Sequence, residues 1–119
     1  MLRIGIVSSE KHWARQVATI FPEWQMDVEY LEAPSSVLLS APGAWDALLL
    51  DLDSVEAHTS NIVEFMDMAS GHAHYLIALI PPRFIHLEPQ FSASGIYALR
   101  KPTSSGEIGI ALRMLFRQS

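Results

Sequence analysis

Short, β-branched apolar runs alternate along this chain with stretches in which apolar residues recur every three or four positions. Leu2 to Val7 is apolar almost throughout, which suits a strand buried on both faces. Trp13, Val17, Ile20 and Phe21 then recur at helical spacing, with Ser8-Ser9 available as an N-cap and Pro22 as the stop. Met26 to Leu31 alternates as a second strand, with Asp27 and Glu29 facing away from Val28 and Tyr30. Pro34-Ser35-Ser36 predicts a short helix through Val37, Leu38 and Leu39, ended by Pro42-Gly43. Ala47 to Leu50 is a third strand with Asp51 at its carboxyl end, and a loop is expected after it. Asn61 can cap a helix whose apolar face is Ile62, Phe65, Met66 and Ala69, with Gly71 as its end. Tyr75 to Ile80 reads as a fourth buried strand, halted by Pro81-Pro82. Phe84 to Ser94 is expected to be poorly helical, because Pro89 interrupts any helix there. Ile96 to Leu99 is a fifth strand. Ser104 to Glu107 is a capping box ahead of a helix with the stripe Ile108, Ala111, Leu112 and Leu115.

Strand and helix therefore alternate five times with short connections. That predicts an α/β fold, a doubly wound (βα)5 parallel sheet of five strands with helices on both faces. Candidate sites in such a sheet lie beyond the carboxyl ends of its strands. With 119 residues, half of them apolar, the chain suits one domain over 1–119 that buries about two thirds of its unfolded surface. Cysteine is absent, which excludes disulfides, thiolate nucleophiles and zinc-thiolate sites and suits a reducing cytosol. The net charge is −5 and the eight Lys and Arg residues are scattered, so direct nucleic-acid binding is not expected. No apolar run is long enough to span a membrane. Met1 to Val7 reaches Ser8 too soon for a signal-peptide core, and a cytoplasmic protein is expected.

The predicted rim carries Ser8, Ser9 and Glu10 after the first strand and Asp51 and Asp53 after the third. Ile80 and Pro81 follow the fourth, and Lys101 and Pro102 the fifth. Trp45-Asp46-Ala47-Leu48-Leu49-Leu50-Asp51-Leu52-Asp53 resembles the third strand of response-regulator receiver domains, where an apolar run ends in the phosphate-accepting aspartate. Leu99-Arg100-Lys101-Pro102 resembles the Lys-Pro pair after their fifth strand, and the serine-rich start of the last helix is also similar. The resemblance covers essentially the whole chain. It implies a flavodoxin-like, receiver-like fold, with Asp51 at the phosphoacceptor position and Lys101 at the position that pairs with the phosphate. Pro102 would follow a cis peptide bond. Asp53 stands where a backbone carbonyl ligates magnesium.

Departures from the receiver pattern point to altered chemistry. The acidic pair after the first strand is replaced by Ser8-Ser9, and the small hydroxyl residue after the fourth by Ile80. The aromatic switch position holds Ala98, with Tyr97 one place out of step and so on the opposite side of the strand. Phosphoryl transfer to a carboxylate needs a hard divalent cation between two anionic groups, and neutral serine hydroxyls are poor substitutes for the carboxylates that would hold it. Asp51 then reads either as a phosphoacceptor or as the structural ion-pair partner of Lys101. Glu10 reads either as a substitute acid or as a complement to a helix dipole.

His72 and His74 lack a third metal ligand and read as surface loop residues. Ser8 or Ser9 with His12 would make a hydrolase pair, but capping is the simpler account. Trp13, Trp24 and Trp45 belong to the core or its edges.

The resemblance implies a pseudo-receiver, not an enzyme and without a cofactor. Such a domain acts by protein contacts or dimerisation through the face of the fourth helix, fifth strand and fifth helix. Tyr97, Leu99, Ile108, Leu112 and Leu115 would carry that face, and the apolar stretch Phe84 to Phe91 is a further candidate surface. Receivers usually precede an output domain, which suits a chain ending at Arg117-Gln118-Ser119. The alternative is a working receiver phosphorylated on Asp51 by a histidine kinase, with magnesium held by Glu10 or Asp53. A third class, a small enzyme or nucleotide-binding domain, lacks a glycine-rich phosphate loop after the first strand: Val7-Ser8-Ser9-Glu10-Lys11 has none.

Overall fold

A computed structural model of the protein describes residues 1–20 and 25–117. Phe21, Pro22 and Trp24, and the terminal Gln118-Ser119, lie outside the described residues. Strands β1 (Leu2–Val7), β2 (Met26–Leu31), β3 (Trp45–Asp51), β4 (Ala73–Ile80) and β5 (Tyr97–Arg100) form one sheet in the order β2-β1-β3-β4-β5. Every neighbouring pair is parallel. The chain runs outward from β1 to β2 and then returns to β3 on the other side of β1. The strand order thus reverses between β1 and β3, where their carboxyl ends meet.

Helices α1 (His12–Ile20) and α6 (Ser105–Arg117) cover one face. The other is covered by α2 (Ser35–Leu38), α3 (Leu52–Glu56), α4 (Ile62–Ala69) and α5 (Glu88–Ala93). Strand alternation divides the core accordingly. Leu48 and Leu50 of β3, with Leu76, Ala78 and Ile80 of β4, pack against Phe65, Met66 and Phe91. Ala47, Leu49, Ile77 and Leu79 point the other way, onto Trp13, Val17, Ile108 and Leu112. Trp13 and Trp45 are both core residues.

The expected caps form at two helices. Asn61 accepts from the Glu64 N–H at 3.0 Å, and Ile62, Phe65, Met66 and Ala69 of α4 are buried as the periodicity predicts. Ser104 and Glu107 bond reciprocally, each at 3.2 Å, ahead of α6.

Three expectations are corrected. The segment after Asp51 is helical: α3 begins there, and Asp51 caps it by accepting from the Asp53 N–H. The stretch from Phe84 to Ser94 is also helical, a 3-10 segment over Pro82–Leu87 followed by α5. Pro89 falls in the first turn of α5, where its missing N–H has no intrahelical partner to lose. Ser8 does not cap α1, which starts at His12; its hydroxyl accepts from the Glu10 N–H and donates to Asp51.

Candidate functional site

Each strand ending at the switch point delivers its last residues to one cleft. β3 is buried along nearly its whole length, so its terminal Asp51 is carried inside with it and is only 1% exposed. A buried carboxylate must be paired and hydrogen-bonded. Lys101 Nζ, from the loop after β5, lies 3.0 and 3.1 Å from the two Asp51 oxygens. Ser8 Oγ, from the end of β1, donates to Oδ2 at 3.0 Å, and the Asp53 N–H donates to Oδ1 at 3.2 Å. The Lys101–Pro102 peptide is cis, as the Lys-Pro resemblance implied. The Lys101 N–H donates to the Ile80 carbonyl at 2.8 Å, which ties the loop after β5 to the end of β4.

Lys101 gathers more than Asp51. Its ammonium donates to Asp53 Oδ2 at 2.7 Å and comes within 3.8 Å of Glu10 Oε2. Glu10 lies before the first turn of α1, so the dipole reading is corrected: its carboxylate faces Lys101 and accepts from Trp13 Nε1–H at 3.3 Å. Burial pushes the Lys101 pKa down, but the hydrogen bonds and charges of Asp53 and Asp51 outweigh it and hold the value above the ordinary lysine range.

A second cation enters after β4, where the expected rim residues were Ile80 and Pro81 and Arg83 was not among the candidates. Arg83 Nη2 donates to Asp53 Oδ1 and, at 2.8 Å, to Glu56 Oε2; Nε reaches the same Glu56 oxygen at 3.1 Å. Its guanidinium carbon also lies 4.9 Å from the centre of the Phe84 ring. Burial raises the Asp53 pKa, but the hydrogen bonds of Lys101 and Arg83, reinforced by their charges, hold it below its ordinary value. Hydrogen bonds to Glu56 and Asp53 raise that of Arg83. Ser54, also unexpected, accepts from the Ser9 N–H at 2.8 Å and binds the loop after β1 to α3. These residues were hidden because an Arg beside two prolines, or an Asp and a Glu three apart, carries no signal until α3 is recognised as a helix.

The remaining candidates fall elsewhere. Ile80 is fully buried and its side chain packs in the α3–α4–α5 layer. Ala98 packs against that same layer and Tyr97 against the other, as the one-place offset required. The Tyr97 hydroxyl lies 3.7 Å from the Met114 sulfur. Ile108 and Leu112 are fully buried, so they are core and offer no contact surface. His12 is exposed beside the Trp13 ring, while the Ser8 hydroxyl is engaged with Asp51. His74 is exposed and meets the edge of Tyr75; His72 is half-buried near Ser40 Oγ. Among the described residues no group of three His, Asp or Glu side chains is arranged to hold a metal ion. None of their helices is long and apolar enough to cross a membrane.

No protein-family model and no curated protein sequence matches the chain. Solved structures do match. A response-regulator receiver domain protein from Clostridium thermocellum is 13% identical with a TM-score of 0.73, covering 99% of this chain and 96% of the other. The inactive form of the regulatory domain of the repressor of iron transport regulator, RitR, is 17% identical with a TM-score of 0.71, covering 100% and 98%. A chain described as adenylate cyclase from Rhodopirellula baltica is 14% identical with a TM-score of 0.71, covering 98% and 87%. The fold is therefore the parallel five-stranded α/β arrangement found in receiver domains.

Proposed function

We propose that this domain is a signal-transduction module of receiver type that works through protein contacts, without magnesium-dependent phosphorylation. The observation that carries this reading is the condition of Asp51. In this reading Asp51 holds the phosphoacceptor position, and both its oxygens are already held by Lys101, with Ser8 and the Asp53 N–H completing its hydrogen bonds. Magnesium wants octahedral oxygen ligands, normally one or two carboxylates with waters and phosphate oxygens. These residues do not fit it. Ser8 and Ser9 bring no charge, the carboxylates of Asp51 and Asp53 are engaged by ammonium, and that of Asp53 also by guanidinium. Ile80 supplies no hydroxyl for a phosphoryl oxygen, and Ala98 no ring to move when one arrives.

The contact surface in this reading is the side of the fold formed by α5, β5 and α6. Ile110 and Met114 stand one turn apart on α6, 61% and 46% exposed, and Tyr97, whose hydroxyl lies 3.7 Å from the Met114 sulfur, lines a shallow groove with Glu88, Ser92, Ala98 and Leu115. Apolar side chains of this size on an outer face are what a partner or a second copy would cover. A fused output domain belongs to the same reading. The competing reading, a receiver phosphorylated on Asp51, draws on one feature: Glu10 and Asp53 both reach Lys101, and both could turn to a metal if its ammonium withdrew.

An amide NMR titration with magnesium and beryllofluoride, repeated on Asp51→Asn, tests the two. The expected result is no specific change in the wild type. Shifts clustered at Asp51, Ile80 and Lys101, and lost in the variant, would make the domain a phosphorylation switch.

A further inference from the structure

Around the cleft, four carboxylates meet two cations. Asp51, Asp53 and Glu10 surround the Lys101 ammonium, and Asp53 and Glu56 share Arg83. A single Arg83 nitrogen touches both Asp53 Oδ1 and Glu56 Oε2, so these two oxygens are brought together as they would be by one metal ion. Asp53 and Glu56 stand three apart on the single turn of α3 and therefore share a face. Without a cation between them they would repel.

We propose that Arg83 is a built-in counter-cation, standing in for a divalent ion between Asp53 and Glu56 and tethering the loop after β4 to α3. The inference rests on the reading that the cleft does not use magnesium, and it identifies what replaces it. Three observations support it. Arg83 Nε and Nη2 converge on one Glu56 oxygen while Nη2 also donates to Asp53 Oδ1, so one cationic head bridges the two carboxylates. The guanidinium packs over Phe84, which is itself packed against the core, so the cation is held in place from its own loop. Asp53 belongs both to this cluster and to the Lys101 cluster, so one carboxylate couples α3, the 3-10 segment after β4 and the loop after β5. Four carboxylates against two cations leave the cleft formally acidic, and within it Asp53 and Glu56 have their counter-charge from the chain's own Arg83.

Arg83 is half exposed, so Arg83→Gln is expected to fold. Manganese titration followed by paramagnetic broadening of amide signals, on wild type, Arg83→Gln and Arg83→Lys, reads the vacated site. Broadening at the Asp53 and Glu56 amides is expected in the glutamine variant alone, with the lysine variant resembling wild type. Hydrogen exchange over residues 82–87 should also quicken roughly threefold in the glutamine variant. Equal manganese responses in wild type and Arg83→Gln, or unchanged exchange over 82–87, overturns the proposal. Beryllofluoride capture at Asp51 of the wild type is a separate signal: it would remove the reading of the domain as phosphorylation-independent, whereas this test reads Asp53 and Glu56.

Discussion

Asp51 is almost wholly buried as a charged group, which is tolerable only because Lys101, Ser8 and the Asp53 N–H share its two oxygens. Removing Lys101 leaves that carboxylate without its cation. Lys101→Met should therefore cost on the order of 3 kcal/mol by urea denaturation. Asp51→Asn/Lys101→Met should recover part of that loss, because no buried charge is then left alone. The pH dependence follows from the same contacts. The folded-state pKa of Lys101 is raised, so its contribution is complete below the unfolded value, about 10.4, and is lost as pH rises through the folded value. That of Asp53 is lowered, so its contribution is present above about 3.9 and is lost as pH falls through the folded value. Urea midpoints should decline at both extremes, and Lys101→Met should flatten the alkaline decline. An unchanged alkaline limb in that variant would mean that Lys101 contributes nothing there. The Asp51–Lys101 pairing was anticipated through the resemblance, which sets Asp51 at the end of β3 and Lys101 just after β5 at positions that pair in receivers. Arg83 was not, because nothing along the chain ties it to Asp53, 30 residues earlier.

At the scale of elements, β1 depends on a glycine. A Cβ built on Gly5 would lie 2.7 Å from Leu48 Cδ2 and 3.2 Å from the Trp45 ring, both of which are buried. Gly5→Ala should destabilise the fold by about 1–3 kcal/mol and shift the Trp45 indole signal in NMR, since the core around it has no slack. A neutral substitution would mean that Leu48 can turn aside. β2 and α4 were readable because their apolar periods differ, two against three and four, and β1, β3 and β4 because short continuous apolar runs end at turn or polar residues. The two helices that were missed share a reason. α3 has five residues and α5 six, too few to display a period. Neither length is stable as an isolated helix, so packing decides them. Leu52 and Val55 of α3 and Phe91 of α5 are all anchored in the same core layer. Pro89 would interrupt one helix running through the stretch, but a 3-10 segment ends at Leu87 and α5 starts at Glu88, so Pro89 falls in a first turn, where it is compatible with the helix.

For the whole molecule, the sheet order fixes which strands open last. β1, β3 and β4 sit inside and are covered on both faces, whereas β2 and β5 are edges with alternately or partly exposed residues. Native-state hydrogen exchange should be slowest in the three inner strands and faster in β2 and β5. Equal protection across all five would argue that the domain opens only as one unit. The same order explains the site, since the reversal between β1 and β3 sets Ser8 beside Asp51, while β4 and β5 bring the loops bearing Arg83 and Lys101 alongside. By itself the sequence determined the class of fold, the inner strands, the cap of α4 and the capping box of α6, because periodicity, capping and proline are local properties of neighbouring residues. It also determined which residues stand at the strand ends. Only the tertiary structure decided that Ser8 turns to Asp51 instead of to a helix, that Glu10 faces Lys101, and that Ile108 and Leu112 are core. It likewise decided that Arg83 closes the cleft. Those outcomes depend on charges and volumes from distant segments competing for the same few ångströms, and a pattern along one chain carries no record of that competition.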